Sequence, residues 1–333
     1  MRTACAVLAS VALLLIAGCG PMRDLASPAS AELPAEWKAL LDELRAFERT
    51  IGFRETGNFA RLTDEREAYD YCGHASRRVL PYSYEDPAIR WLEQIDAEQC
   101  RDAGSDSDWY FGSVEVWGEI GTPVTPSMLS AELGRFIYLV IHEDCHDQFQ
   151  LPYGIEEPLC NILTYRAMAQ FGAQKYGWYT PENRALRNYA VTQSRETRTT
   201  VAHYREVEGL YERYHRRELP LDDLMLARGA VYAKLERALD LPAGEMNNII
   251  LASLMTYSRH YARLESVVDR VGPDLARVVA YFRAVDAARP KPEELLQRLL
   301  IKDRKSLEFV RANEEAVIRT IEQAGRRRTA ELR

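Results

Sequence analysis

The sequence has no surplus of positive charge: 43 Lys and Arg stand against 50 Asp and Glu, for a net charge of −7. A chain balanced towards acid is not built to grip a polyanion, which excludes nucleic acid as its main partner. It also lacks a long apolar run. The one candidate, residues 3–18, is too short for a comfortable bilayer span. No internal repeat is visible, and the composition excludes a disordered, collagen-like or low-complexity polymer. Histidine is scarce, with 6 in 333 residues, so an ordered arrangement of histidines carries weight. What is present is ordinary globular material, 47% hydrophobic and 28% charged, enough for one large domain or two modest ones.

The first twenty residues, MRTACAVLASVALLLIAGCG, begin with a positive charge at Arg2 and continue through an apolar core to Ile16. The small pair Ala17-Gly18 then precedes Cys19. Leu15 to Cys19 resembles a bacterial lipoprotein signal, which implies removal of residues 1–18 and a lipid on Cys19; a plain secretory signal cut at another small residue is the alternative. Gly20, where inner-membrane retention would favour Asp, implies sorting to the outer membrane of the cell envelope. Residues 19–35 are rich in Pro, Ala and Ser and read as a tether. Beyond Cys19, four cysteines remain, Cys72, Cys100, Cys145 and Cys160. An oxidising envelope permits disulfides, in three possible pairings; buried free thiols are the alternative.

The rest reads as mainly α-helical. Apolar spacing predicts helices over 36–51, with Leu40, Leu41, Leu44 and Phe47 on one face, then over 128–148, 157–172, 183–217, 222–239, 246–269 and 273–287. The best strand signal covers 109–117, where Val114 and Val116 alternate with Ser113 and Glu115. Leu151 to Gly154 predicts a turn. Residues 291–333 form a charged, helical C-terminal extension.

Chemistry concentrates in His142-Glu143-Asp144-Cys145-His146, an HExxH motif inside an apolar helix. Four residues turn a helix by about 400°, so the two imidazoles share a face one turn apart and can occupy two corners of a zinc site. Glu143 lies about 100° round, placed to act on water without being a ligand. With so few histidines, the pattern arises by chance in roughly one such chain in a hundred. A third ligand is expected from Glu157, with Glu156 as the alternative, because a reversal at 151–154 would bring the next helix alongside. The competing structural reading is a pair of half-buried histidines and two acids favoured at a helix N-terminus.

Three segments together resemble a bacterial aminopeptidase family, the gluzincin-like HExxH zinc-peptidase lipoproteins. They are RFIYLVIHEDCH at 135–146, IEEPLC at 155–160 and MNNIILASLMTY at 246–257, with Glu265 continuing the match. The likeness covers about residues 40–290, specific at these segments and loose between them. It implies a zincin-like helical metallopeptidase domain over 36–290, with Zn2+ held by His142, His146 and Glu157 and with Glu143 as general base. Asp144 and Asp147 depart from the family, whose residues there are usually uncharged; they are candidate acceptors for the imidazole N–H groups, or the mark of a site whose selection for catalysis has relaxed. Cys145 and Cys160 replace small residues, which favours pairing them, and Cys72 with Cys100.

Tyr257 is the expected donor to the oxyanion, against a core role. One of Asn247 and Asn248 is expected to cap its helix, and the other to bind substrate backbone or orient Tyr257. The 113–117 strand is a candidate edge for an extended peptide, with Trp109, Tyr110 and Trp117 near side-chain pockets or in the core. His74, His203, His215 and His260 lack ligand spacing and read as solvated or locally bonded. The expected activity is hydrolysis of a peptide or protein substrate by a membrane-tethered zinc peptidase. The alternative is a catalytically silent envelope lipoprotein that uses the fold as a binding or assembly module.

Overall fold

The computed structural model describes residues 32–63, 69–93, 95–102, 106–114 and 121–331. The signal segment, Cys19 and most of the tether lie outside the described residues, as do positions 115–117 of the expected strand, Trp117 among them. Among the described residues no helix is long and apolar enough to cross a membrane.

The chain opens with α1 (Ala35–Thr50), which buries Leu40, Leu41, Leu44 and Phe47 as their spacing requires. A small antiparallel sheet follows, from β1 (Tyr69–Ser76), β2 (Arg90–Glu93) and β3 (Ser107–Val114), in the order β2-β1-β3. Cys72 of β1 sits across from Leu92 on one side and Phe111 on the other. Between β2 and β3, the short helix α2 (Ala97–Asp102) carries Cys100, which is bonded to Cys72.

Among the described residues, every named element after the sheet is a helix. The predicted 128–148 helix is divided into α3 (Pro126–Ser130) and α4 (Leu133–His146). Thr125 caps α3 through its side chain and Pro126 opens it, but Ala131 turns to an extended conformation and the chain restarts at Glu132. A break of two residues leaves the apolar periodicity nearly in phase, which is why spacing alone does not reveal it. The second helix of the pair, α5 (Tyr153–Tyr176), starts within the expected turn, directly after Pro152.

Two long helices follow, α6 (Pro181–His215) and α7 (Leu221–Ala238). The predicted 246–269 helix is two: α8 (Asn248–Ser258) and α9 (Tyr261–Val271). The bend falls at Arg259-His260, where both side chains leave for distant partners, Tyr82 O and Glu314 respectively. Helices α10 (Leu275–Ala288), α11 (Pro292–Leu299) and α12 (Leu307–Glu331) complete the chain.

The main core gathers apolar side chains from α1, α4, α5, α9 and α10, and α12 contributes Val317, Ile318 and Ile321 to it. Residues 307–325 are therefore packed into the body of the protein. Each such fully buried aliphatic side chain stabilises the fold by about 1.5–3 kcal/mol before entropy is counted. A second core lies between α6, α7 and α8, built on Tyr204, Val207, Tyr232 and Leu235. Helix α5 packs against α4, α6, α8 and α9, and Gly154, Ile155, Glu156 and Glu157 of its first turns are buried.

Candidate metal centre

Helix α4 presents its last two turns to the first turn of α5, and a Cys145–Cys160 disulfide joins the two helices. The bridge stands one residue before His146 and three after Glu157, so it clamps the two segments that bear the candidate ligands.

Three side-chain atoms converge there. His142 Nε2 is 3.2 Å from Glu157 Oε2 and His146 Nε2 is 3.2 Å from His142 Nε2. His146 Nε2 lies 3.5 Å from the same carboxylate oxygen. Zinc bonds of about 2.0–2.1 Å at tetrahedral angles put donor atoms about 3.3 Å apart, so the three edges match a tetrahedral face. The donor set of two imidazoles and one carboxylate, leaving one position open, is also of the catalytic type.

Glu156 and Glu157, adjacent in sequence, do different work. The Glu157 carboxylate faces both imidazoles. Glu156 instead accepts from His146 Nδ1 at 3.0 Å through one oxygen and from the Leu151 N–H at 2.7 Å through the other. That first bond holds a proton on His146 Nδ1, so that an ion displacing the Nε2 proton would meet the Nε2 lone pair. His142 is fixed otherwise: its ring stacks on Tyr138 with centroids 5.0 Å apart, while its Nδ1 is buried without a partner. The Tyr138 hydroxyl donates to Asn161 Oδ1 at 2.7 Å, tying α4 to α5 a second time.

With no ion between them, Glu157 and His146 form a buried charged pair. Burial works to push the Glu157 carboxyl up, yet the charge of His146 and hydrogen bonds from both imidazoles hold it down at about 2. Burial likewise disfavours a charged His146, but the Glu157 charge and the bond to Glu156 lift it well above the usual histidine range. Glu143 is buried, and its carboxyl is raised by that burial against the opposing pull of the two imidazoles.

Other expected residues lie elsewhere. Asp144 and Asp147 do not serve the imidazoles. Asp144 Oδ1 accepts from Thr56 at 2.5 Å and Asn58 at 3.0 Å, and Asp147 Oδ2 accepts from Asn58 at 3.1 Å. These acids point from the opposite face of α4 towards the α1–β1 connection, where Glu48 also meets Asp144. Asn247 is the cap of α8, accepting from the Ile249 and Ile250 N–H groups. Its side-chain nitrogen also donates to Trp109 O at 2.8 Å, so the β3 edge is closed at that point. Asn248 is fully buried: it accepts from Tyr232 and donates to Val79 O and Tyr211, so its capacity is spent on structure. Neither asparagine is left to hold substrate.

Tyr257 is buried on α8 and shares a hydrogen bond with Tyr153, the first residue of α5. Burial raises the Tyr153 phenol above its ordinary range, with the nearby Glu157 charge adding to the effect. Tyr153 thus stands between Tyr257 and the cluster. Sequence reasoning missed Tyr138, Tyr153, Asn161 and the orienting role of Glu156. Spacing held a signal for two of them, since Tyr138 is one turn before His142 and Asn161 one turn after Glu157.

Two histidines read as solvated or locally bonded are buried against long-range partners or a disulfide. His260 Nε2 is 2.9 Å from Glu314, whose carboxylate also accepts from the Tyr82 hydroxyl at 2.7 Å. His74 Nε2 lies 3.0 Å from Cys72 Sγ, and with Cys100 these form a tight group. Because the two sulfurs are bonded to each other, neither is a thiolate ligand, and the group is a disulfide with an imidazole against it. His203 bonds back to Thr199 O at 2.9 Å and His215 is exposed.

No protein-family model matches the chain, and neither a curated protein nor a solved structure matches it.

Proposed function

We propose that this protein is a zinc-dependent peptidase of the cell envelope, tethered to the membrane by a lipid on Cys19, with peptides or proteins as substrate. The observation that carries the reading is the tetrahedral spacing of His142, His146 and Glu157, with Glu143 beside them. The zincin-like assignment and the aminopeptidase relationship are drawn from the sequence motifs.

Bound there, zinc supplies a Lewis acid that lowers the pKa of a water towards 7 and polarises a carbonyl. Glu143 would take a proton from a water in the site and return it to the leaving amine. Tyr153, hydrogen-bonded to Tyr257, would be the phenol nearer the oxyanion, with Tyr257 orienting it. Glu156 keeps the His146 ring in the tautomer the site needs.

The test is elemental analysis of the purified protein beside a peptide-library digest, with Glu143→Ala as control. The expected result is one zinc per chain in both proteins and hydrolysis in the unsubstituted one alone. Equal behaviour of the two in every digest removes the enzymatic role. The depth of the cluster, with Glu143 2% and Glu157 1% exposed, favours a second reading as a silent module that keeps the ion for structure. A chelator would then unfold the protein instead of merely silencing it.

A further inference from the structure

Helix α5 ends at Gly177, whose φ of 87° reverses the chain, and α6 starts at Pro181. The turn between them is closely held. Asn183 Nδ2 donates to Trp178 O at 3.0 Å, and the Thr180 hydroxyl donates to Gly177 O at 3.2 Å. The Thr180 oxygen also accepts the Asn183 N–H as the cap of α6. The two side chains at the tip are left outside: Trp178 is 65% exposed and Tyr179 95%. Among the described residues they are the only exposed large aromatics. Adjacent rings on a fixed backbone, with no packing role inside the fold, suit a contact beyond it.

The position of the turn says what they meet. Phe47 of α1 packs on Phe171 of α5 with ring centroids 5.5 Å apart, and Glu43, one turn back on α1, is ion-paired with Lys175, one turn on along α5. The two helices therefore run antiparallel, and one more turn brings Ala39 level with the tip of the 177–180 turn. Ala39 is about 6 Å along the helix axis from Ala35, where the tether leading from Cys19 enters α1. However residues 19–34 are disposed, they reach at most about 55 Å, so a lipid on Cys19 keeps this end of the protein beside a bilayer and lets even a weak contact be occupied. Trp and Tyr, apolar rings with a polar tip, are the side chains that settle at headgroup level. The exposed charges around the pair balance, Glu32, Glu36 and Glu182 against Lys38, Arg184 and Arg187, so the attraction is interfacial and not electrostatic.

We propose that Trp178 and Tyr179 are an interfacial anchor that seats this end of the protein on a lipid surface. The inference rests on the lipid-anchor part of the reading above and not on catalysis. Glu157 lies about 29 Å before Tyr176 along α5, so the seated protein carries the His142, His146 and Glu157 cluster on the end turned away from the headgroups, towards soluble peptides.

The unlipidated chain from residue 19, carrying Cys19→Ser, is floated with phosphatidylcholine vesicles. The expected result is a measurable partition that Trp178→Ser and Tyr179→Ser together lower at least tenfold. Both positions are exposed, and circular dichroism checks that the double variant folds. Replacing a fifth of the lipid by phosphatidylglycerol is expected to change the partition less than tenfold. For the lipidated protein in brominated phosphatidylcholine, tryptophan emission is expected to be quenched, with Trp178→Phe removing more than half of the quenching. No partition, a smaller loss in the double variant, a larger dependence on anionic lipid, or a smaller effect of Trp178→Phe overturns the proposal. So does self-association without lipid that the double variant abolishes, because the pair then covers a second copy of the chain. Mass spectrometry finding no acyl group on Cys19 removes the lipid anchor instead, and flotation of the Cys19→Ser chain still decides on the aromatic pair.

Discussion

Glu156→Gln is the sharpest probe of the metal centre, because the substitution keeps shape and changes only what the side chain offers. In the native protein both oxygens accept, one from His146 Nδ1 at 3.0 Å and the other from the Leu151 N–H at 2.7 Å. A carboxamide has one accepting end. If that end serves Leu151, the NH2 end faces His146 Nδ1 and forces the ring proton onto Nε2, the atom 3.2 Å from His142 Nε2. The lone pair needed by the ion is then blocked. If the amide turns over, the buried Leu151 N–H loses its acceptor instead. The first outcome costs about 10–100-fold in zinc affinity, whereas the second costs about 1–3 kcal/mol of folding stability and leaves the affinity near that of the native protein. Glu157→Gln removes the charged donor itself and is expected to lose more than about 100-fold. Competition with a chromophoric chelator at neutral pH measures both, with circular dichroism of the metal-free proteins as the folding control. If Glu156→Gln loses more than Glu157→Gln, the roles of the two acids are exchanged. If both lose less than tenfold, the ion is not held by these atoms.

Other perturbations test the scaffold. Gly154→Ala drives a Cβ into Glu314 Oε1, and that carboxylate is pinned by Tyr82 and His260; a stability loss of about 1–3 kcal/mol is expected in urea unfolding, and an unchanged midpoint would show that Glu314 swings aside. Burial and the neighbouring Asp144 hold the Glu48 carboxyl well above its ordinary range, so the folded protein keeps a proton that the unfolded chain releases above about pH 4.3. Native stability therefore falls as pH rises from about 4.3 to the raised Glu48 value, by up to about 1.4 kcal/mol per unit, and Glu48→Gln should flatten the profile; a parallel profile refutes the protonated Glu48. Replacing Cys145 and Cys160 together by Ser opens a loop of 15 residues and should cost about 3 kcal/mol in the metal-free protein, with weaker zinc binding as the ligand helices lose their clamp. A loss below about 1 kcal/mol would mean that packing alone sets the α4–α5 geometry.

The division between what was legible in the sequence and what was not follows the range of the interactions. His142 and His146 share a face because four residues make about one helical turn, a local fact that survives any tertiary arrangement. The four lone cysteines were harder, since several pairings obey the same rules; the structure joins Cys72 to Cys100 and Cys145 to Cys160. Helix breaks at Ala131 and at Arg259-His260 escaped periodicity. The first leaves the apolar phase nearly intact, and the second depends on Glu314, which is 54 residues away. Asn248 looked like a ligand-binding residue only because its partners, Tyr211, Tyr232 and the carbonyl of Val79, are remote in sequence.

The choice between Glu156 and Glu157 shows why the last step needed coordinates. Both stand in the opening turns of α5, about 100° apart, and either rotation of that helix would turn one acid to the imidazoles. The rotation is set by three contacts outside the motif. The Cys145–Cys160 bridge fixes the distance between α4 and α5. Tyr138 donating to Asn161 fixes one face. Gly154, having no side chain, lets the Glu314 carboxylate of α12 lie against the first turn of α5. A helix near the end of the chain thus helps decide which carboxylate faces the histidines. Substitutions at Glu314 should therefore change zinc affinity without touching a ligand, and Glu314→Gln, which keeps the size but weakens the bond to His260, is the mildest way to measure that coupling.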